Sequence, residues 1–251
     1  MTKNNLYTQL SDNLEKLGLM QMKIHLDEIA DDITSNRISI TEGLLKLSNY
    51  EIDFKSQSAA SSLVKAAAFP FIKELKDFDF EFQPSINQQK MMELANLYFL
   101  EKSENVVFLG SSGVGKTHLA TSIGIAAAKQ RFSTYFIKCN DLFMQLKKAK
   151  IESRLDAKLK NYAKYKLLII DEIGYLPISQ EDSNLFFQLI DMRYENKSTV
   201  FTTNISFDLW NRIFYDAVVA NAILDRILHH SHVITITGNS YRLKDCVALA
   251  E

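Results

Sequence analysis

The sequence predicts an α/β fold: a five-stranded parallel sheet sandwiched by helices, preceded by a small all-helical N-terminal module. Three observations predict it. Five short runs, Val106 to Leu109, Thr134 to Ile137, Leu167 to Ile170, Thr199 to Thr202 and Val233 to Ile236, alternate with helical stretches, the order of a parallel sheet covered on both faces. These runs are apolar or β-branched throughout, as strands buried on both sides must be. Ahead of them, apolar residues recur at helical spacing.

The chain of 251 residues has room for one medium α/β domain and a small extra module. We divide it at residues 1–76 and 77–251. With 47% hydrophobic and 24% charged residues, long disordered tracts are not expected. The formal charge of −1 means that any surface for a polyanion has to be a local patch. Cys139 and Cys246 are too few for a disulfide framework or a four-thiolate zinc site. No apolar run approaches the ~20 residues of a membrane span, and Met1 to Leu10 lacks the order of a signal peptide. A cytoplasmic protein without membrane contact is expected.

In the module, Leu10, Leu14, Leu17, Leu19 to Met22, Ile24, Leu26, Ile29, Leu44, Leu45 and Leu47 keep helical spacing. Thr41-Glu42 and Ser56 to Ser62 read as helix-start or loop signals. The alternating aromatic segment Phe78 to Phe82, closed by Gln83-Pro84, reads as a linker, and Asn87 to Leu100 as one helix. Phe80 and Phe82 either approach a nucleotide base or pack within the linker.

The first strand runs into Gly110-Ser111-Ser112-Gly113-Val114-Gly115-Lys116-Thr117, an ungapped G-x-x-x-x-G-K-[ST] phosphate loop. The helix after it, His118 to Gln130, turns its N-terminal amides and positive dipole end toward bound phosphates. Lys116 is placed to reach the β- and γ-phosphates of ATP, and the Thr117 hydroxyl to ligate Mg²⁺. The third strand ends in Asp171 and Glu172, at the carboxyl edge where such sheets bind ligands. Asp171 is expected to hold Mg²⁺ and Glu172 to deprotonate the attacking water. An acid beside the metal carboxylate favours water as acceptor, hence ATP hydrolysis. Asn204, after the fourth strand, has two readings: a contact to the γ-phosphate or its water, or a helix cap before Ser206 to Trp210.

These elements resemble the AAA+ superfamily. Asp171-Glu-Ile-Gly-Tyr-Leu-Pro177, Phe186-Phe-Gln-Leu-Ile, Arg193-Tyr-Glu195, Thr202-Thr-Asn204, Leu224-Asp-Arg226, His229-His230 and Gly238-Asn-Ser-Tyr-Arg242 narrow the likeness. They are similar to the IstB-like ATP-binding helper proteins of bacterial insertion sequences, relatives of the DnaC helicase loader. The resemblance implies an AAA+ ATPase that assembles on DNA as a homo-oligomer with ATP between subunits, contacts a cognate transposase, and regulates target choice. Arg226 matches the position of the arginine that reaches a neighbour's γ-phosphate; the alternative is a helix salt bridge. Arg242 matches a second nucleotide-sensing arginine, although a reduced C-terminal lid is expected.

The stretch from Leu146 to Lys160 holds Lys147, Lys148, Lys150, Arg154, Lys158 and Lys160 against Glu152 and Asp156. On the residues alone it reads most simply as a solvated helix face. The resemblance places a DNA-tracking element here, which would contact phosphates, of duplex DNA in the first instance, with little base specificity. The module, locally acidic at Asp27, Glu28, Asp31 and Asp32, is expected to make partner or oligomer contacts, with DNA as the second choice. His229, His230 and His232 have no acid or cysteine at ligand spacing and read as structural or interface residues. Trp210 and Phe186-Phe187 read as core. Two other functions are open: a DnaC-like helicase loader, and a small-molecule phosphotransferase.

Overall fold

The computed structural model describes residues 3–175 and 177–244. Cys246, and Leu176 within the Asp171 to Pro177 stretch, lie outside them. The chain divides into two compact units, Met1–Ser62 and Leu63–Glu251.

In the first unit α1 (Lys3–Lys16), α2 (Met20–Ile24) and α3 (Leu26–Thr34) lead to α4 (Ile40–Ala66), whose last residues fall in the second unit. Leu14, Leu26, Ile29 and Leu47 form the buried core. Leu10, Leu17, Ile24, Leu44 and Leu45, expected on the same apolar faces, are exposed. The carboxylate of Glu51, itself buried, accepts the N–H groups of Gln21 and Met22 at 2.8 and 3.3 Å, capping the start of α2. Helix α4 begins with a capping box in which Ser39 and Glu42 exchange bonds. The expected break at Ser56 to Ser62 is absent. No Gly or Pro interrupts that stretch, and the Ser62 hydroxyl turns back onto the Ser58 carbonyl, so the serines stay in the helix.

The second unit carries α5 (Gln88–Ala95), α6 (Tyr98–Glu101), β1 (Asn105–Gly110), α7 (Lys116–Lys129), β2 (Thr134–Lys138), α8 (Cys139–Ile151) and α9 (Leu155–Ala163). There follow β3 (Leu167–Ile173), α10 (Gln180–Arg193), β4 (Ser198–Thr203), α11 (Trp210–Ile213), α12 (Ala217–Leu228) and β5 (Ser231–Ile236). All five expected strands form, and they pair in parallel in the order β2-β3-β4-β1-β5. Alternation explains their unbroken apolar character. Val107, Leu168, Ile170 and Phe201 face a layer built from α8, α9, α10 and α12, whereas Val106, Phe108, Leu167, Ile169 and Val200 face α5 and α7. Trp210 and Phe186 are core residues as expected, with Phe187 partly buried against them.

Two expected helices are divided. Asn87 to Leu100 breaks at Leu97, which takes φ 68° and is buried; the turn lets Leu97, Phe99 and Leu100 all enter the core. The basic stretch breaks at Ser153, φ 55°, where the Arg154 N–H closes on the Ala149 carbonyl. The segment expected to be a linker, Phe78 to Pro84, packs with this unit: Phe78 and Phe80 lie against its core. Upstream of it, the Ala67 carbonyl accepts the Phe136 N–H of edge strand β2 at 2.8 Å, and Phe69 rests on Gly124. No described helix is long and apolar enough to cross a membrane.

Arg193, 2% exposed at the end of α10, ties this unit together. Its guanidinium donates to Thr199 Oγ1 at 2.9 Å and to the carbonyls of Tyr162, Ala163 and Tyr165 at 3.0, 3.2 and 2.9 Å, and also to the Ser198 carbonyl. Burial lowers its pKa to about 9, which leaves it charged at neutral pH. Carbonyls stand in for a carboxylate here, joining α9, α10 and β4. Arg193→Met is expected to strand those acceptors and destabilise the protein by about 3 kcal/mol or more. An unchanged urea midpoint would show that water satisfies them instead.

Candidate functional site

The phosphate loop leaves β1 and curls into α7, and its shape depends on two glycines. Gly115 has φ 101° and faces the Phe78 ring, whose Cε2 lies 2.5 Å from where a Cβ would stand. Gly113 has φ 83° and lies against Ser240. A side chain at either place meets both backbone strain and a clash. The Tyr241 N–H donates to the Gly113 carbonyl at 2.9 Å, and Gln83 Nε2 to the Asn239 carbonyl at 2.7 Å. The segments before β1 and after β5 thereby flank the loop.

Between them opens a cleft of about 330 Å³. Of the expected nucleotide residues, Ser112 to His118 line it, together with Glu172, Asn204 and Arg242. Lys116 Nζ donates to the Gly110 and Ser111 carbonyls at 2.8 and 2.7 Å. Burial lowers its pKa, with the Asp171 charge opposing and Arg242 adding to the fall. His118 bonds to the Glu74 carbonyl at 3.1 Å and meets Phe71 and Phe78 edge-on; burial holds its pKa below the usual histidine value.

Behind the loop Asp171 is 1% exposed. Its carboxylate accepts from Thr117 Oγ1 at 3.0 and 3.2 Å and from Thr202 Oγ1 at 2.5 Å. Burial raises its pKa, and the two hydroxyls oppose that rise. The β3–β4 register slips between Ile170 and Ile173, so the strand bulges at the two acids. Glu172 there adopts φ 63°, a conformation rare for residues other than glycine and frequent at functional sites. Its N–H donates to Thr202 Oγ1 at 2.9 Å, and its carboxylate pairs with Lys138 Nζ at 3.0 Å.

Asn204 caps no helix: the 3₁₀ turn Phe207–Leu209 has Ser206 at its cap position. Arg226 lies away from this cleft and pairs with Asp191 at 2.8 Å beneath the Phe187 ring, 4.6 Å from its centroid. Of the two aromatics considered for the base, neither lines the cleft; Phe71 and Phe78 do. The sequence reading also missed Lys138, Thr202, Gln83 and Tyr241. Lys138 was the detectable one, since it ends the strand that neighbours β3, in register with Asp171.

The basic residues sit apart from the cleft. Lys148, Arg154 and Lys158 line a groove of about 450 Å³ between α8 and α9. Lys147 and Lys150 are paired with Asp182 and Glu181 on α10, and Arg154 with Glu152, whereas Lys148 and Lys160 form no ion pair among the described residues. Lys158 stands over the Tyr162 ring.

The chain is similar to known proteins over most of its length. The chain is 62% identical to the insertion sequence IS232 ATP-binding protein of Bacillus thuringiensis subsp. berliner, over 96% of each chain. It is 40% identical to the insertion sequence IS21 ATP-binding protein of Pseudomonas aeruginosa, over 92% of this chain and 88% of that one. Among solved structures it is similar to the DnaC helicase loader, with TM-score 0.53 and 27% identity over 60% of this chain and 88% of that one. AMPPCP-bound DnaA from Aquifex aeolicus shares the fold, with TM-score 0.56 and 18% identity over 70% of this chain and 54% of that one. A model of the family described as IstB-like ATP binding protein matches residues 12–248, and this chain, with its AAA+ phosphate-loop core, belongs to that family.

Proposed function

We propose that the protein hydrolyses ATP with Mg²⁺ as a DNA-binding helper of insertion-sequence transposition, a homo-oligomer with ATP at its subunit interfaces that stimulates a cognate transposase and regulates target choice. One observation carries the hydrolytic part: Thr117, Asp171 and Glu172 converge behind the phosphate loop. Lys116 and the loop amides bind the phosphates, and Thr117 with Asp171 forms a hard oxygen pair suited to Mg²⁺. The ion, when bound, offsets charge on the β- and γ-phosphate oxygens. Glu172 takes the proton of the attacking water, and Asn204 orients that water. Arg226, on the far side of its own subunit's chemistry, serves the cleft of a neighbour and must leave Asp191 to do so.

The buried Asp171 carboxylate supports the Mg²⁺ assignment, because its direct partners are two neutral hydroxyls. A pKa raised by folding means that the native state holds this proton more tightly than the unfolded chain does. The ionised group therefore costs stability above the unfolded carboxyl range, including neutral pH. Asp171→Asn is expected to raise the melting temperature without nucleotide by about 2–4 °C, and to abolish the further rise caused by Mg²⁺ with ATP. A lowered melting temperature would contradict a stored charge penalty.

Glu172→Gln is expected to keep ATP affinity and to slow phosphate release at least ~100-fold. Undiminished release would remove Glu172 as the base.

The α8–α9 groove, with its basic side chains, supports a DNA surface there. Because Lys147, Lys150 and Arg154 are already paired, Lys148, Lys158 and Lys160 carry the phosphate contacts. Replacing these three with Ala is expected to flatten the salt dependence of DNA affinity by about three logarithmic units of slope. An unchanged slope would move DNA elsewhere. Partner contacts fall to the first unit, whose exposed Leu10, Leu17, Leu44 and Leu45 suit an apolar interface. The DnaC likeness favours a second reading, loading of a replicative helicase; the two insertion-sequence relatives favour transposition.

A further inference from the structure

The fold brings to His229 and His230 an acid that lies far from them in sequence. Glu195 follows α10, and the histidines follow α12. One ligand atom from each of the three lies within 4.8 Å of the others, and all three side chains are exposed. His230 Nε2 is 3.7 Å and His229 Nδ1 4.0 Å from the same carboxylate oxygen, Glu195 Oε1. Among the described residues no lysine or arginine claims that carboxylate.

We propose that Glu195, His229 and His230 bind a divalent transition ion of the zinc class. Two imidazoles and one carboxylate suit zinc and its neighbours, whereas Mg²⁺ and Ca²⁺ want oxygen donors alone. Zinc–ligand bonds of about 2.0–2.2 Å put tetrahedral ligand atoms roughly 3.3 Å apart. The observed separations reach that with small rotations of these exposed side chains. The backbone is already set for it. Glu195 takes φ 57°, Asn196 Nδ2 donates to the Tyr194 carbonyl at 2.9 Å, and the Tyr194 hydroxyl lies 2.6 Å from His229 Nδ1. The same Nδ1 faces Glu195, so the ion takes the place of the Tyr194 hydroxyl on that nitrogen.

Three protein ligands leave a fourth position for water or a group from a second molecule. Bound metal joins the end of α10 to the end of α12. Arg226 stands in this same strip, its guanidinium carbon 6.0 Å from the Tyr194 ring, so the ion stiffens the surface that presents Arg226. The metal site itself does not depend on the ATPase reading.

The test uses the full chain, stripped with a chelator and free of nucleotide. Calorimetric titration with Zn²⁺ is expected to show one saturable site per chain, and Co²⁺ to give the visible absorption of tetrahedral coordination. The double variant His229→Ala/His230→Ala should lose both signals, whereas Tyr194→Phe, which removes the hydroxyl competing for His229 Nδ1, should leave Zn²⁺ binding at least as tight. Glu195→Gln, which keeps shape and exposure, should weaken Zn²⁺ while leaving the melting temperature of the stripped protein unchanged. Absence of saturable binding in the native chain, or binding equal in the Glu195 and double-histidine variants to the native chain, overturns the proposal and leaves a carboxylate–imidazole ion pair.

Discussion

Everything around the cleft is organised by one buried carboxylate. Asp171 accepts hydroxyls from Thr117 at the start of α7 and from Thr202 on β4, so the loop-bearing helix and two central strands meet at a single charged group. That arrangement is costly in isolation, since burial penalises the ionised form. It suits a site that stabilises cationic charge, and it places the cost where a ligand relieves it. The bulge that starts at the same residue gives Glu172 its own direction, toward the cleft instead of the core.

A second clasp lies at the opposite end of the same strands. Arg193 collects carbonyls from the end of α9 and the start of β4, so α9, one wall of the basic groove, is anchored to the sheet. The groove and the nucleotide cleft therefore share one rigid support, β3 with β4, and α8 springs directly from Lys138, the residue paired with Glu172.

Much of this was legible in the residues. Apolar runs marked the central strands, because a sheet covered on both faces demands apolar side chains there; edge strand β5, expected to be buried on both sides, is instead partly exposed, with Val233 on the surface. The phosphate loop was legible because cradling phosphate with backbone amides requires glycine at fixed offsets. Helix ends were less so: Leu97 and Ser153 turn with positive φ, and ordinary side chains give no local sign of that. The serines at 56–62 misled in the other direction, since a hydroxyl satisfied within the helix leaves the chain no reason to turn.

By itself, then, the sequence determined the order of the elements, the loop, and the identity of the two acids after β3, all of which follow from local chemistry and chain periodicity. Tertiary structure alone decided which charges are spent. Lys147, Lys150 and Arg226 look like free cations until α10 brings Asp182, Glu181 and Asp191 beside them. It likewise decided that Glu195 meets His229 and His230. Such pairings join residues far apart in the chain, and side-chain charges carry no record of distant partners until packing brings them within a few ångströms.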